Sequence, residues 1–151
     1  MRLTTFSDYG LRVLIYLAVH RGSLATIAEI ARAYGISANH LMKVVHHLAQ
    51  QGHVETVRGK GGGMRLAREP ADINVGTVIR QSEDNFTFVE CFDAETSDCR
   101  IAPACHLKNV LGEAMEAFFT ALDRYTLADL VDNRAKLAKL LPLKDLRAAR
   151  A

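Results

Sequence analysis

Every cysteine of the chain lies in one short stretch, "ECFDAETSDCRIAPACHLK", residues 90–108. Seven residues separate Cys91 from Cys99, and five separate Cys99 from Cys105. If two of the three thiols formed a disulfide, the third would stay unpaired. The gaps between the cysteines match no common zinc-binding spacing. In the cytosol, where we expect this chain, thiols stay reduced and clustered cysteines more often bind metal or do redox chemistry. The pattern therefore indicates a metal site.

Two kinds of metal centre compete for these thiols. Zinc could take the three cysteines and His106, but adjacent residues such as Cys105 and His106 seldom both reach one tetrahedral ion. An iron–sulfur cluster is held by thiolates and tolerates irregular spacing. Three thiolates would leave one iron with a weaker, replaceable ligand, so that the site would respond to small molecules. Unrelated core cysteines are a poor alternative because the segment is polar and aperiodic. The spacing favours iron–sulfur over zinc.

A second set of polar side chains lies on a predicted helix that Ser37 can cap and Gly52 can end. Its inward face is predicted to comprise Leu41, Val44, Val45 and Leu48. The residues predicted to point outward are Asn39, His40, Lys43, His46, His47 and Gln50. Such a polar face is also common on ordinary surface helices, so its function has to be assigned from the adjacent secondary-structure elements.

Those neighbours predict a winged helix. Thr26 and Glu29 form a capping-box pattern that opens a preceding helix, which Gly35 ends, and two short helices around a tight turn indicate a helix-turn-helix. In "HVETVRGKGGGMRLA", residues 54–57 and 64–67 are predicted strands joined by a glycine-rich turn. The turn matches neither nucleotide-binding glycine motif, because a strand rather than a helix follows it.

These elements identify candidate DNA contacts. The N-terminal residues of a recognition helix contact base edges in the major groove. From this helix we therefore select Ser37, Asn39, His40 and Lys43, with Asn39 and His40 directed to bases and Lys43 to a phosphate or guanine. From the wing we select Arg58 and Lys60, which suit phosphates or a minor groove.

The distribution of charge agrees with this assignment, although the formal net charge is only +2. Between residues 36 and 68 there are five basic residues and four histidines against one acid, Glu55. Between residues 69 and 99 there are eight acids against Arg80 alone. The first segment suits a polyanion and the second does not.

The remaining elements are helical, so the expected fold class is mostly α. We predict a first helix over about 8–21, a short helix capped by Asn74, a long helix of roughly 20 residues after the cysteines, and a final helix restarted by Thr126 and Asp129. The long helix is too apolar on one side to pack only on a small winged helix, which predicts a partner helix. The expected division is a winged helix-turn-helix DNA-binding domain (1–84), a cluster-binding loop (85–106), a dimerisation helix with a C-terminal helix (107–141) and a fraying basic tail (142–151).

Membrane association is not expected. The longest apolar run, residues 13–19, is far shorter than the roughly 20 residues that span a bilayer. Asp8 lies inside the N-terminal stretch and no small-residue cleavage site follows Val19, so a signal peptide is not indicated. We expect a cytoplasmic protein.

Four stretches together resemble one known family. They are "LTTFSDYGLRVLIYLA", "SANHLMKVVHHLAQQGHVETVRGKGGGMRLA", "CRIAPACHLK" and "LDRYTLADLV". They are similar to the nitric-oxide-sensing iron–sulfur repressors of the winged-helix regulators, over residues 3–141. The resemblance implies a homodimer bridged by the long helices, a cluster near the dimer interface held by Cys91, Cys99 and Cys105, and repression of genes for nitric oxide detoxification.

The resemblance also suggests a fourth cluster ligand, an acid near the start of the first helix supplied by the other subunit. Asp8 stands there, although an acid in a first helical turn is also stabilised by the helix dipole, by about 0.3–1 kcal/mol. His106, Asp98 and a solvent molecule are the alternatives. A 4Fe–4S cluster is favoured by the resemblance, and three thiolates would also accommodate a 2Fe–2S form.

The expected function is a repressor dimer that binds an inverted-repeat DNA operator and releases it when nitric oxide attacks the cluster. A close alternative keeps the fold but senses cluster status or redox state. An enzyme with a cysteine nucleophile activated by His106 or His47 has no further support, since no orienting acid stands at a readable spacing. We therefore expect no enzymatic activity.

Overall fold

The computed structural model describes residues 2–83, 86, 88–93, 95 and 97–143. This part of the chain is mostly helical, with one two-stranded hairpin. The elements are α1 (Thr5–Val19), α2 (Ile27–Tyr34), α3 (Ala38–Gln50), β1 (Val54–Val57), β2 (Gly63–Leu66), α4 (Val75–Ser82), α5 (His106–Leu122), α6 (Leu127–Leu130) and α7 (Arg134–Leu140). Single 3₁₀ turns cover Pro70–Asp72, Glu90–Phe92 and Ala102–Ala104. None of the described helices is long and apolar enough to cross a membrane.

Helix α1 runs through the middle of the hydrophobic core. Val13, Leu14 and Tyr16 are fully buried in it. The predicted start at residue 8 was wrong by one turn, because Thr4 caps the helix and its hydroxyl accepts a hydrogen bond from the backbone N–H of Ser7 at 3.2 Å. The apolar periodicity begins only at Leu11, so it gave no signal for this polar first turn.

The predicted helix-turn-helix is confirmed as α2 and α3. The capping box is present: the Glu29 backbone N–H donates to the Thr26 hydroxyl at 3.2 Å, and the Thr26 backbone N–H donates to the Glu29 carboxylate at 2.6 Å. Gly35 ends α2 at φ +65°, a left-handed conformation that glycine adopts without strain. The four apolar residues predicted to face inward on α3 are all buried.

The wing is an antiparallel hairpin tied to the start of α2. Val54 pairs with Leu66 at its base and Val57 with Gly63 near its tip. Met64 is additionally bridged to Ala25, with N–H···O distances of 3.0 and 2.7 Å in the two directions. This third backbone segment fixes the direction of the hairpin relative to the helix-turn-helix.

Helix α5 has 17 residues and none of them is buried in the single chain. Its N-terminal half exposes large apolar side chains, including Leu107 at 61% exposure and Val110 at 49%. Its C-terminal end contacts α4 through Phe119, over which the Arg80 guanidinium lies 4.3 Å from the ring centroid. An amphipathic helix with an uncovered apolar side is the arrangement expected of an interface.

The predicted final helix is divided in two, which corrects the single helix expected from the sequence. Thr126 and Asp129 do form a capping box, but α6 ends at Leu130 and α7 begins only at Arg134. The turn between them lets the Arg134 guanidinium donate to the carbonyl of Val19, at 2.6 Å, at the end of α1. That carbonyl has no partner within its own helix, so a contact between distant segments favours the break.

The C-terminal end also packs on α1. The ring Nε2 of His20 lies 2.6 Å from the carbonyl oxygen of Leu141. Leu127 and Leu141 are buried, whereas Leu140 is 75% exposed. The predicted fraying of the tail falls largely on residues 144–151, which lie outside the described residues.

One buried histidine makes the stability of this fold depend on pH. His53 precedes β1, is 2% exposed, and its Nε2 lies 2.7 Å from the Gln81 side-chain oxygen. Burial is the main cause that lowers the pKa of His53 from its usual value of about 6.5, and the positive charge of Arg68 acts in the same direction. The Nδ1 atom has no hydrogen-bond partner among the described residues, so a second proton there would be unpaired.

We therefore expect the free energy of unfolding to decrease as the pH falls through about 6.5. The unfolded chain binds this proton more readily than the folded chain, so stability is complete above that pH and is lost below it. Thermal unfolding between pH 5 and 8 measures the effect, and His53→Gln should reduce the dependence. His46→Gln, at an exposed position of α3, is the matched control and should leave it unchanged. An equal pH dependence in wild type and His53→Gln would contradict the assignment.

Candidate nucleic-acid interface and cysteine segment

The exposed face of α3 carries most of the side chains predicted to contact DNA. Asn39, Lys43 and His46 are exposed, and at 100° per residue they lie within about 60° of one another around the helix. His40 is exposed beside them, with its ring centroid 6.4 Å from that of Tyr9 on α1. The polar face is therefore centred on Asn39, Lys43 and His46, and His40 stands at its edge.

One residue predicted to point outward does not. His47 is half-buried, and its ring meets Phe6 of α1 edge-on, with 5.3 Å between the centroids. Its Nε2 is buried without a hydrogen-bond partner among the residues that the structure describes. Periodicity places position 47 at the border of the two faces, and packing with α1 decides that it turns inward.

Two exposed residues of α3 were missed as candidates. His46 lies on the same line as Asn39 and Lys43, and helical spacing alone could have found it. Met42 is 52% exposed on the flank of that face. A large apolar side chain on a recognition helix suits contact with a thymine methyl group. The residue type alone did not indicate this role, because methionine is usually a core residue.

Ser37 occupies the N-cap position of α3, as predicted, but its side chain makes no capping hydrogen bond. Its exposed hydroxyl therefore remains a free donor at the helix N-terminus. Backbone N–H groups at a helix start favour an anion such as a phosphate, and a hydroxyl there can add a further hydrogen bond.

The wing presents two of its cations without competing acids. Arg58 and Lys60 lie at the exposed hairpin tip and form no ion pair with any described residue. Arg65, by contrast, is paired across the hairpin with Glu55 at 2.7 Å. The structure thus separates the cations that can meet a phosphate directly from one that is already neutralised.

The three cysteines follow one another along a segment whose described residues are mostly irregular. Each is a free thiol and each is half-buried. Cys91 lies in the turn Glu90–Phe92, and Cys105 is the N-cap residue of α5. The backbone N–H of Cys99 donates to the Ser97 hydroxyl at 3.4 Å. The sulfur of Cys105 therefore stands at a helix start, where unsatisfied N–H groups can donate to a metal-bound thiolate.

Within the single chain these ligands are not gathered. Among the described residues, no three His, Cys, Asp or Glu side chains form a group that could hold a metal ion. The donor set itself fits an iron–sulfur cluster, since three unpaired thiols stand in one segment with few helical constraints. A site made from these residues requires the segment to close around its metal or a second chain to complete it.

Asp8, the candidate fourth ligand, is engaged in an ion pair. Both of its carboxylate oxygens face Arg12 one turn along α1, at 2.8 Å from Nη2 and 3.1 Å from Nε. The Arg12 guanidinium lies over the rings of Tyr9 and Tyr34 at about 6 Å, which limits its freedom. Asp8 is half-exposed at the surface of the chain, as a ligand donated to another subunit would need to be.

Two curated relatives with high identity to this chain carry the same name. The chain is 55% identical to the HTH-type transcriptional regulator NsrR of Bacillus subtilis over 146 residues, covering 96% of this chain and 100% of that protein. It is 48% identical to the regulator of the same name from Shouchella clausii over 145 residues, covering 95% of this chain and 97% of the other. These names describe transcriptional regulators, which is a role outside catalysis.

Solved structures agree on the fold. T. potens IscR superposes with a TM-score of 0.69 at 30% identity, covering 88% of each chain. CymR, the global cysteine regulator of B. subtilis, superposes with a TM-score of 0.67 at 29% identity, covering 88% of this chain and 98% of that one. The sequence profile of the Rrf2 family, described as an iron-dependent transcriptional regulator, matches residues 3–133. This chain belongs to the Rrf2 family of winged-helix transcriptional regulators.

Proposed function

We propose that the protein is a DNA-binding repressor that senses nitric oxide through an iron–sulfur cluster and loses operator affinity on nitrosylation. The observation that carries the proposal is the presence in one chain of an exposed winged-helix face and three free cysteines in the segment that ends at the N-cap of α5, a long helix with an exposed apolar side. The similarity to NsrR proteins supports nitric oxide as the signal.

DNA binding would use two copies of the chain. Two α5 helices would cover each other's exposed apolar sides, including Leu107 and Val110, and form a homodimer. Each α3 would then enter the major groove of one half of an inverted repeat, with half-sites about one helical turn apart. Arg58 and Lys60 on each wing would contact the flanking phosphates or minor groove.

Cluster binding would use Cys91, Cys99 and Cys105 from one copy and Asp8 from the other. A bound cluster would supply iron that reacts with nitric oxide, and we propose the 4Fe–4S form, with 2Fe–2S as the alternative that three thiolates also permit. Asp8 must leave Arg12 or share it to serve as a ligand, so the ion pair would re-form when the ligand is released. That exchange offers two stable states for the start of α1.

Release of the cysteines would free the segment that precedes α5. Since Cys105 is the N-cap of that helix, a change in what holds its sulfur acts directly on the N-terminal end of α5. The two recognition helices would then no longer match the operator spacing, which is a population shift between two dimer arrangements. A difference of ~2.8 kcal/mol between the two states would change binding about a hundredfold.

The test is operator binding by anaerobically purified protein before and after addition of nitric oxide. We expect about a hundredfold weaker binding after the reaction, together with loss of the brown cluster absorption. Undiminished binding by the fully reacted protein would reject nitric oxide as the signal. Iron and sulfide analysis of the same sample would decide between the two cluster forms.

A second candidate function keeps the fold and changes the signal. The fold similarity to T. potens IscR and to CymR shows that differently named regulators share this architecture, so the fold does not select nitric oxide. The alternative is a regulator of cluster status or redox state. It would retain binding of the cluster-free protein at some operators, whereas the first proposal predicts weak binding of that form at all of them.

For the fourth ligand we expect Asp8→Ala to retain the cluster but to hold it less firmly. The three thiolates remain, while the replaceable position passes to solvent or another side chain, so loss of absorbance in the presence of an iron chelator should be faster. Asp132→Asn, which removes an exposed acid far from α1 in sequence, is the control. Equal rates of cluster loss in the wild type and Asp8→Ala would assign the fourth position to another ligand.

A further inference from the structure

The C-terminal end of α5 is attached to α4 by a tightly fitted ion pair. Arg80 donates two hydrogen bonds to the Asp123 carboxylate, from Nη1 to Oδ1 at 2.6 Å and from Nη2 to Oδ2 at 2.7 Å. The same guanidinium lies over the ring of Phe119, which in turn meets the Phe86 ring edge-on at 4.7 Å between centroids. Charge, stacking and an aromatic pair therefore converge on one contact.

Gly76 provides the space for this contact. A Cβ atom added to Gly76 would lie 2.0 Å from Asp123 Oδ1 and 3.1 Å from Arg80 Nη1. Helix interiors disfavour glycine relative to alanine, so a glycine in the first turns of α4 costs helix stability. The close approach of the carboxylate gives a physical reason for that cost.

The backbone of the same region is joined by further hydrogen bonds. The Asn74 side chain caps α4 by accepting from the N–H of Thr77 at 2.9 Å, and its NH₂ group donates to the Asp123 carbonyl at 2.8 Å. The N–H of Val75 donates to the Tyr125 carbonyl at 3.0 Å. Helix α4 is therefore joined to the C-terminal end of α5 along its length, from its N-cap Asn74 to Arg80.

The C-terminal end of α4 also contacts the DNA-binding elements, through the residues that follow Arg80. The Gln81 side-chain oxygen lies 2.7 Å from Nε2 of His53, immediately before β1 of the wing. The Glu83 carboxylate accepts from the N–H of Thr4 at 2.8 Å, at the start of α1. A rotation of α4 would therefore displace the base of the wing and the first turn of α1, which carries Asp8.

We propose that Arg80 and Asp123 are positioning residues that couple helix α5, whose N-cap is Cys105, to the wing through α4, in the space left by Gly76. The inference rests on the proposed function, because the displacement that it transmits is that of α5 on loss of its cluster. Exposed ion pairs add little to folding stability, whereas a bidentate arginine–carboxylate pair restricts geometry. The pair is half-exposed and bidentate, so its contribution is to orientation.

The test compares operator affinity with and without the cluster in the full-length protein. In the wild type, operator affinity with the cluster is expected to be about a hundredfold higher than affinity without it. In Asp123→Asn this affinity ratio should fall below about tenfold. The iron content and the reaction with nitric oxide should stay unchanged. Glu69→Gln breaks another exposed ion pair, with Arg21, and should retain the wild-type ratio. A wild-type ratio in Asp123→Asn, or loss of its cluster, would overturn the proposal.

Gly76→Ala tests the same contact without removing a charge. Alanine strengthens the helix but displaces the carboxylate, so we expect the same loss of coupling with α4 intact. A wild-type ratio in this variant would also overturn the proposal. If the wild type itself binds DNA equally with and without the cluster, the proposed function fails. The coupling between α5 and the wing is then tested separately, by amide hydrogen exchange of β1 and β2 in cluster-free protein. Faster exchange in Asp123→Asn then supports the coupling, and unchanged exchange rejects it.

Discussion

Replacement of Cys99 by serine is expected to give colourless protein without iron or acid-labile sulfide after anaerobic purification. A serine hydroxyl is almost entirely protonated at neutral pH and is a poor iron ligand compared with a thiolate. The two remaining cysteines, Cys91 and Cys105, would leave two irons of a 4Fe–4S cluster without protein thiolates. We expect operator binding about a hundredfold weaker than that of the loaded wild type, equivalent to ~2.8 kcal/mol, and no further change with nitric oxide.

Glu95→Gln is the matched control for this experiment, because it alters an exposed residue of the same segment without touching a thiol. It should retain iron, colour and the response to nitric oxide. Circular dichroism should show that both variants keep the helical content of the wild type. A Cys99→Ser protein that still carries a full complement of iron and sulfide would exclude Cys99 as a ligand.

Replacement of Asn39 by alanine is expected to weaken operator binding at least about thirtyfold and to relax the preference at one base pair in each half-site. An asparagine that contacts adenine through both of its polar atoms contributes about 1–3 kcal/mol of discrimination. A dimer uses two such contacts, so the loss should be at least ~2 kcal/mol. Binding to operators altered one base pair at a time measures both the loss and the position.

Lys43→Ala separates phosphate contact from base contact. If Lys43 contacts a phosphate, affinity should decrease for all sequences, and the salt dependence of log affinity should fall by about one charge per subunit. Gln50→Ala, on the same side of α3 but about two turns beyond Lys43, should change binding less than about threefold. For the Asn39→Ala variant, an unaltered operator preference would show that Asn39 does not contact a base.

Local patterns in the sequence were sufficient where the deciding residues are close together. The capping box of Thr26 and Glu29 was correctly predicted because both partners belong to one helical turn. The buried side of α3 was correctly predicted because its packing repeats with the helical period. The wing followed from two short apolar stretches around glycines. The same logic placed the candidate metal ligands in residues 90–108, and metal binding, its individual ligands and the DNA contacts stay predictions.

Two of the errors occurred where a distant residue decides. His47 turns inward because Phe6 of α1 packs against its ring. The C-terminal helix divides at a turn that places Arg134 against a carbonyl of Val19, 115 positions away in the chain. Neither contact leaves a signal in the neighbouring sequence, because helix propensity and apolar spacing depend only on nearby residues.

By itself, the sequence determined the helix-turn-helix, the wing, the buried side of α3 and the confinement of all three thiols to one segment. Only the tertiary structure decided which border residues are exposed, that Asp8 is engaged by Arg12, and that Gly76 lies against Asp123. The physical reason is range: caps and helical faces are fixed by residues within one or two turns. Contacts between separate elements depend on how the whole chain folds back to bury its apolar surface.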